Sequence, residues 1–365
     1  MEETNQIPKF STLPLRSGDP LDVKGGIASI TPKSNLRLNR YSAWGLYGDD
    51  DQLGTLNRLI DDLVVKTARE EIQTGTRISL NWPLDAQTKP GFGRQAFHKN
   101  VYQKTPRIVN DDIWTFNSQS SSQWDGLRHF AYQKEQRFYN GVTLDDIHGG
   151  SQLEVNGIQA WAERGIVGRG VLLDFHSWRL ANNVAYDPFK TGSITLDQLQ
   201  AVARAQGTEI KFGDVLIIRS GYINAFNKLS KDEAEAYASV VPPTLSGVEQ
   251  SDAVLEWLWE NFSAAAGDQP SFECWPTQKE WHLHEILLGG WGMPIGELFD
   301  LEKLSEHCKK VNRWSFFMSS EVCNVPGGVA RCFSPVAALD VADLSLVPRT
   351  FSLYSKTQPK IADWV

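Results

Sequence analysis

Short continuous apolar runs and stretches of helical spacing take turns along this chain. GRGVLLDFHSW (Gly168 to Trp178) and GDVLIIRSGY (Gly213 to Tyr222) share one pattern: a glycine turn, a buried strand, then polar groups at the strand's end. SAAAGD (Ser263 to Asp268) reads as a third buried strand, closed by an aspartate. TRISLNWPL (Thr76 to Leu84) and DDIWTFNSQ (Asp111 to Gln119) read as further strands. Asp61 to Ile72 and GIQAWAERG (Gly157 to Gly165) read as helices. Val254, Trp257, Leu258 and Asn261 follow helical spacing, and Ser246 with Glu249 upstream offers a capping box for that helix. In FFMSSEVCNVPGGVARCFSPVAAL, Pro326-Gly327-Gly328 predicts a hairpin between two strands. Residues 1–40 are rich in Pro, Ser, Asn and Gly and predict an irregular arm. Beyond them no linker or charge run divides the chain, so residues 41–365 are expected to form one domain. Interleaved strands and helices predict the α/β class.

Two stretches carry candidate chemistry. In SQSSSQWDGLRHF (Ser118 to Phe130), an extended start would point Gln119, Gln123 and Asp125 to one side. Gly126 permits a turn, and His129 can then return toward Asp125. Those residue types suit a metal or a substrate amide. In PTQKEWHLHEILLGGWGMPIGELFDL (Pro276 to Leu301), Thr277 and Glu280 have capping-box spacing and Gly289-Gly290 would end the helix. His284 falls in the arc of Trp281, Leu283, Leu287 and Leu288, whereas His282 falls on another side near Glu285. Residues two apart do not share a helix face, so at most one of the pair serves a common site, and the arc favours His284. Glu297 follows among apolar neighbours. His148 in DDIHGG and His176 at a strand's end are spare acid/base candidates. GFGRQAF has glycines spaced as in a dinucleotide fingerprint, but a proline stands where the strand should end and FHKNVYQK follows where a helix should start, so it reads as a loop.

Composition narrows the function classes. Of 365 residues, 41% are hydrophobic and 22% charged, as in a globular protein. A net charge of -8 offers no basic footprint for nucleic acid. The acidic opening MEETNQIPKF is unlike a signal peptide, and no apolar run is long enough for a membrane helix, so a cytoplasmic protein is expected. Cys274, Cys308, Cys323 and Cys332 lack CxxC spacing and read as reduced thiols. No Gly-x-Ser-x-Gly motif supports a serine hydrolase. Thirteen tryptophans, among them Trp44, Trp114, Trp124 and Trp291 near the two stretches, suggest an aromatic pocket for a small aromatic or cyclic substrate, with Trp124 a binding candidate.

Asp125-Gly-Leu-Arg-His129-Phe130 resembles the end of the H-x-G-T-H-x-D-x-P-x-H-F motif of the metal-dependent cyclase family, which includes bacterial-type kynurenine formamidase and isatin hydrolase. His284, Leu287-Leu288 and Gly292-Met293-Pro294-Ile295-Gly296-Glu297 resemble its second motif, H-x-x-L-L followed by G-I-x-I-x-E, with one extra residue near Trp291. The likeness runs from about Trp44 to Val347 and is nearest the family's longer branch. It implies an α/β fold with a β-barrel-like core surrounded by helices, in a homodimer or larger homo-oligomer. It also implies a metal position of Asp125, His129, His284 and Glu297, with Glu297 as ligand or general base. A second position, built from the motif's first two histidines, falls on Gln119 and Gln123. Neutral carboxamides hold a divalent ion poorly, so one ion at most is expected, Zn²⁺ or Mn²⁺ by donor type, with the glutamines free to bind substrate. Three readings stay open: a hydrolase of a small cyclic or aryl amide, formamide or lactone; a metal-poor or metal-free lyase, isomerase or ring-closing enzyme; and a non-catalytic binding relative.

Overall fold

Ile166–Leu173, Asp214–Ile218 and Phe262–Gly267 run parallel at the centre of the molecule, and their apolar side chains are almost wholly shielded from solvent. Strands buried on both faces need cover on both faces, and helices supply it. The computed structural model describes residues 7–15, 40–150, 154–332 and 336–339. Most of the irregular arm expected over residues 1–40 lies outside them. Residues 7–15 pack inward: Phe10 meets Trp291, and Trp259 Nε1 donates to the Pro8 carbonyl at 2.8 Å.

In chain order the strands are β1 (Thr76–Ser79), β2 (His98–Gln103), β3 (Asn110–Thr115), β4 (Gln123–Asp125), β5 (Ile166–Leu173), β6 (Gly192–Ile194), β7 (Asp214–Ile218), β8 (Ser246–Val248), β9 (Phe262–Gly267), β10 (Ile295–Glu297), β11 (Ser315–Ser320), β12 (Ala330–Cys332) and β13 (Val336–Leu339). The helices are α1 (Asp61–Glu71), α2 (Leu144–His148), α3 (Gln159–Arg164), α4 (Phe175–Ala181), α5 (Leu196–Gln206), α6 (Tyr222–Phe226), α7 (Lys231–Ala238), α8 (Asp252–Asn261) and α9 (Glu302–Val311). One nine-stranded mixed sheet has the order β1-β13-β11-β5-β7-β9-β10-β4-β12. Among the described residues β1 and β12 are its edges and do not pair, so the sheet is open where a barrel-like core was expected. α1, α5 and α8 pack on its central strands. The α/β expectation holds.

Three local expectations change. α8 begins at Asp252 with Ser251 as cap, its hydroxyl accepting from Val254 N at 3.2 Å; Ser246 lies in β8 instead, paired with Gly192. β11 and β12 form no hairpin: β11 pairs with β5 and β13, and β12 pairs with β4 at the far edge. The Pro-Gly-Gly turn therefore lies in the connection that carries the chain from β11 to the far edge of the sheet. Thr277 caps no helix either. Its hydroxyl accepts from Gln250 Nε2, and the helix around His284 is a short one opening into a π turn, Glu285–Gly290.

At the carboxyl ends of β5, β7 and β9 stand Asp174, Arg219 and Asp268. Arg219 Nη1 lies 2.9 Å from Asp174, and Nε and Nη2 each lie 2.8 Å from Glu302. Asp268 accepts from Ser220 N and Oγ and from Gly221 N. The polar ends read from the sequence are thus joined to one another, and they tie α4 and α9 to the sheet.

Candidate metal centre

β4 is short because its neighbours are. Gln123 pairs with Glu297 of β10, and Asp125 sits between Ile295 and Ala330. Alternation puts Gln123 and Asp125 on one face and Trp124 on the other. There Trp124 Nε1 donates to Ser320 Oγ at 2.9 Å and the ring meets Phe299 edge-on at 5.2 Å, inside the core and away from Asp125. Gly126 follows where nothing larger fits: a Cβ would lie 2.6 Å from the Val329 carbonyl oxygen. The chain then turns, with His129 N donating to Gly126 O at 2.9 Å, and the imidazole returns to Asp125.

The second stretch meets the first from across the sheet. His284 Nε2 lies 3.4 Å from Asp125 Oδ2 and 3.3 Å from Glu297 Oε1, and His129 Nε2 lies 3.8 Å from Asp125 Oδ2. A tetrahedral ion with bonds of ~2.0–2.1 Å sets its donors roughly 3.3 Å apart. Asp125, His129 and His284 can each turn one donor toward a common point. Asp125 Oδ2 is buried without a hydrogen-bond partner, an expensive state for a carboxylate oxygen and one that a cation would relieve. These residues fit a divalent ion.

Glu273 prepares His284 for that role. Its Oε2 lies 2.6 Å from His284 Nδ1. A proton on Nδ1 shared with this carboxylate leaves Nε2 as the ligand atom. Burial alone would strip the charge from His284, but the carboxylates of Glu273, Asp125 and Glu297 outweigh it and hold its pKa well above the ordinary value. Burial, then the Asp125 charge, pushes Glu297 up to about 7. Glu297 Oε2 accepts from Gln123 Nε2 at 2.9 Å, and Oε1 from Phe272 N at 3.0 Å. Leu298 follows in the left-handed region at φ 55, an unusual backbone for a branched residue, pinned by Ser122 Oγ on its carbonyl. Glu273→Gln should weaken metal affinity about 10–100-fold while the protein stays folded, as read by titration of the metal-free protein with Zn²⁺.

Gln119 reaches the site from a turn and not from a strand, because β3 ends at Thr115 in a two-stranded hairpin with β2. Its carboxamide is oriented from both ends. Arg94 Nη2 donates to Oε1 at 2.5 Å, and Nε2 donates to Asp125 Oδ1 at 2.9 Å. A flipped amide would set donor against donor and acceptor against acceptor. Nε2 also lies 2.6 Å from His129 Nδ1, which is therefore an acceptor. In a neutral ring the proton then sits on Nε2. Burial lowers the His129 pKa to about 4, against the pull of Asp125, so the ring is neutral near pH 7.

Other expectations fall elsewhere. His148 is exposed at the end of α2. His176 lies in α4, with Nδ1 3.3 Å from Arg179 Nη2, and burial followed by Arg219 and Arg179 lowers its pKa to about 4. Neither belongs to the cluster around Asp125. His282 turns to Glu285, with Nδ1 2.9 Å from Oε1. Glu273 and Arg94 were not singled out from the sequence. A carboxylate between Phe272 and Cys274 had to find a partner if buried, which was a usable signal for Glu273. Arg94 left no signal, sitting in the GFGRQAF loop.

Comparison with known proteins places the fold and the family. A solved structure described as a novel cyclase superposes with a TM-score of 0.71 at 28% identity, over 81% of this chain and 99% of that one. Isatin hydrolase A from Ralstonia solanacearum superposes at 0.52 with 15% identity, over 76% and 95% of the two chains. An isatin hydrolase bound to the product analogue thioisatinate gives 0.50 at 11% identity, over 77% and 97%. The last two are likenesses of fold. No curated protein matches the sequence. The family model described as "Putative cyclase" matches residues 70–273, which is 204 of 365 positions and takes in the stretch from Gln119 to His129. The chain belongs to the cyclase family.

Proposed function

We propose that the protein is a metal-dependent hydrolase of a small cyclic or aryl amide, formamide or lactone, acting through water. The observation that carries this reading is the convergence of Asp125 Oδ2, His129 Nε2 and His284 Nε2 in one buried place, with Glu273 fixing the His284 imidazole's orientation. Asp125, His129 and His284 would hold one divalent ion, Zn²⁺ or Mn²⁺ by donor type, which leaves Glu297 as the base. When bound, such an ion polarises a carbonyl and lowers the pKa of water. Glu297, poised at about 7, accepts a proton from the attacking water. Gln123, wholly buried, holds Glu297 in place and leaves its own Oε1 without a partner. The isatin hydrolases of similar fold support this substrate class.

One observation favours a second reading. While Gln119 donates to His129 Nδ1, a neutral His129 presents an Nε2–H donor and not a ligand atom. That suits a metal-poor isomerising or ring-closing enzyme in which His129 donates a proton to substrate. Elemental analysis of protein purified without chelator, with turnover of aryl formamides and lactones, separates the two. One ion per chain with turnover is expected. Two ions would overturn the single-site assignment, and no ion with full activity would favour the second reading.

The reading extends to a single catalytic domain from residue 41 and to a homodimer. The β2–β3 hairpin exposes Val101, Ile113 and Trp114, each more than half accessible, apolar surface of the kind a second copy covers. Light scattering should return twice the chain mass at micromolar concentration, and Trp114→Lys should shift it toward one chain. A wild-type mass of one chain would sink the dimer. Among the described residues no helix is long and apolar enough to cross a membrane.

A further inference from the structure

The carboxamide of Gln119 has its oxygen and both of its N–H groups engaged. Oε1 accepts from Arg94 Nη2 at 2.5 Å, and the two hydrogens of Nε2 go to Asp125 Oδ1 at 2.9 Å and His129 Nδ1 at 2.6 Å. The backbone on either side is anchored as well. Arg94 Nη1 donates to the Gln119 carbonyl at 2.9 Å, and Gln119 N donates to Asn117 Oδ1 at 2.9 Å. Asn117 N donates to the Gln95 carbonyl at 3.1 Å, so the loop that carries Arg94 and the turn that carries Gln119 are joined at their bases. Arg94 is half-buried, and its guanidinium carbon rests 4.9 Å from the centre of the Phe92 ring. With both backbones tied, the orientation of the Gln119 side chain is the one variable left, and Arg94 sets it.

We infer that Arg94 is a positioning residue for the metal site: by fixing the Gln119 carboxamide it keeps the His129 proton on Nε2, and an ion gains His129 as a ligand only when that carboxamide turns over. The inference deepens the hydrolase reading and rests on it for the ion. The two histidines of the site have opposite partners behind them. His284 Nδ1 faces a carboxylate, Glu273 Oε2 at 2.6 Å, which takes the proton on that side and leaves Nε2 to an ion. His129 Nδ1 faces an N–H group, which leaves the proton on the side where an ion would bind. Turning the carboxamide over would offer Nδ1–H an acceptor, but it would set Gln119 Nε2 against the Arg94 guanidinium and Oε1 against Asp125 Oδ1. The ring is neutral in both arrangements, and only the place of its proton differs. While the carboxamide stays as it is, an ion has the Asp125 carboxylate and a single imidazole. That oxygen-richer set favours Mn²⁺ relative to Zn²⁺, which gains more from a second imidazole. Arg94 thereby bears on which metal the site prefers.

Long-range ¹H–¹⁵N spectra of the metal-free, full-length protein labelled at histidine test this, with the His129 signals assigned through His129→Gln. Each ring nitrogen reports whether it carries the proton, which a merely structural role for Arg94 would leave unchanged. Wild type should show the proton on Nε2. Gln119→Leu, which removes the donor without altering charge, should divide it between the two nitrogens. Arg94→Met should do the same, and Arg94→Lys, which keeps a donor for Oε1, should retain the wild-type signature. Titration of the same samples with Zn²⁺ and with Mn²⁺ reads the consequence. Gln119→Leu should bind Zn²⁺ up to about tenfold more tightly, the worth of one hydrogen bond, with a smaller gain for Mn²⁺. A proton on Nδ1 in metal-free wild type would overturn the inference whatever the variants do. So would an unchanged Zn²⁺-to-Mn²⁺ preference in folded Gln119→Leu. Failure of wild type to bind either ion, with the Arg94-dependent signature intact, would sink the hydrolase reading and leave Arg94's control of the His129 proton standing.

Discussion

Asp125→Asn is expected to remove bound metal and to lower kcat/KM for whatever ester or amide the protein turns over by at least about 10³-fold, while the fold survives. Asp125 supplies the only carboxylate oxygen in the cluster that is buried with nothing bonded to it. The other oxygen accepts from Gln119, a bond that an asparagine carbonyl can keep. Losing the negative charge also relieves Glu297, whose pKa burial and Asp125 together push up to about 7. The metal-free variant should therefore melt close to the metal-free wild type. Elemental analysis and steady-state kinetics are the two readouts. Full metal occupancy with wild-type turnover in Asp125→Asn would overturn the site.

Arg219→Met should cost about 3–5 kcal/mol of stability, because it strips the buried guanidinium from between Asp174 and Glu302 and leaves only the half-exposed Lys309, 3.2 Å from Asp174, as counter-charge. Arg219 and Asp174 are 6% and 1% accessible, so solvent does little to screen the pair. For a chain this size the loss corresponds to a fall of roughly 4–7 °C in melting temperature. Burial alone would raise the Asp174 pKa; Arg219, then the Ser305 and Ser177 hydrogen bonds, overcome it and hold the carboxyl at about 2. A depressed carboxylate stabilises the fold above its unfolded pKa of about 3.9, and that contribution is lost as pH falls through 2. The share of the penalty that runs through Asp174 should accordingly shrink below about pH 4, while Asp268, raised to about 6 by burial and held down by Arg219, makes the penalty grow between pH 5 and 8. Urea denaturation at several pH values measures it. A midpoint equal to wild type at pH 7 would refute the role given to this network.

The α/β class, the three buried strands and both chemical stretches were legible in the sequence, because each depends on local patterning, whereas the strands' parallel pairing was not. A continuous apolar run must be covered on both faces. A glycine between Asp125 and His129 permits the turn that returns the imidazole, and two histidines two apart on a helix cannot share a target. That ground, with the apolar arc around His284, separated it from His282. Resemblance to the cyclase family added the pairing of the two stretches, which no local pattern contains.

What only tertiary structure decided concerns partners far apart in the chain. The capping box at Ser246 and the hairpin through Gly327 were sound local patterns, but Ser246 pairs with Gly192 in a sheet and β11 and β12 each found better-placed neighbours. The barrel-like core is likewise not confirmed, since among the described residues the sheet has two edges that do not meet, and closure depends on which edges meet. Trp124 was drawn toward the pocket by its neighbours in sequence, yet strand alternation turns it into the core. Glu273 and Arg94 act through His284 and Gln119, partners 11 and 25 positions away, so their roles appear only when loops are brought against the site. The sequence by itself determined which residues were able to do chemistry. Folding decided which of them face one another, because ligand spacing, amide orientation and charge balance are set by distances between segments that local patterning does not encode.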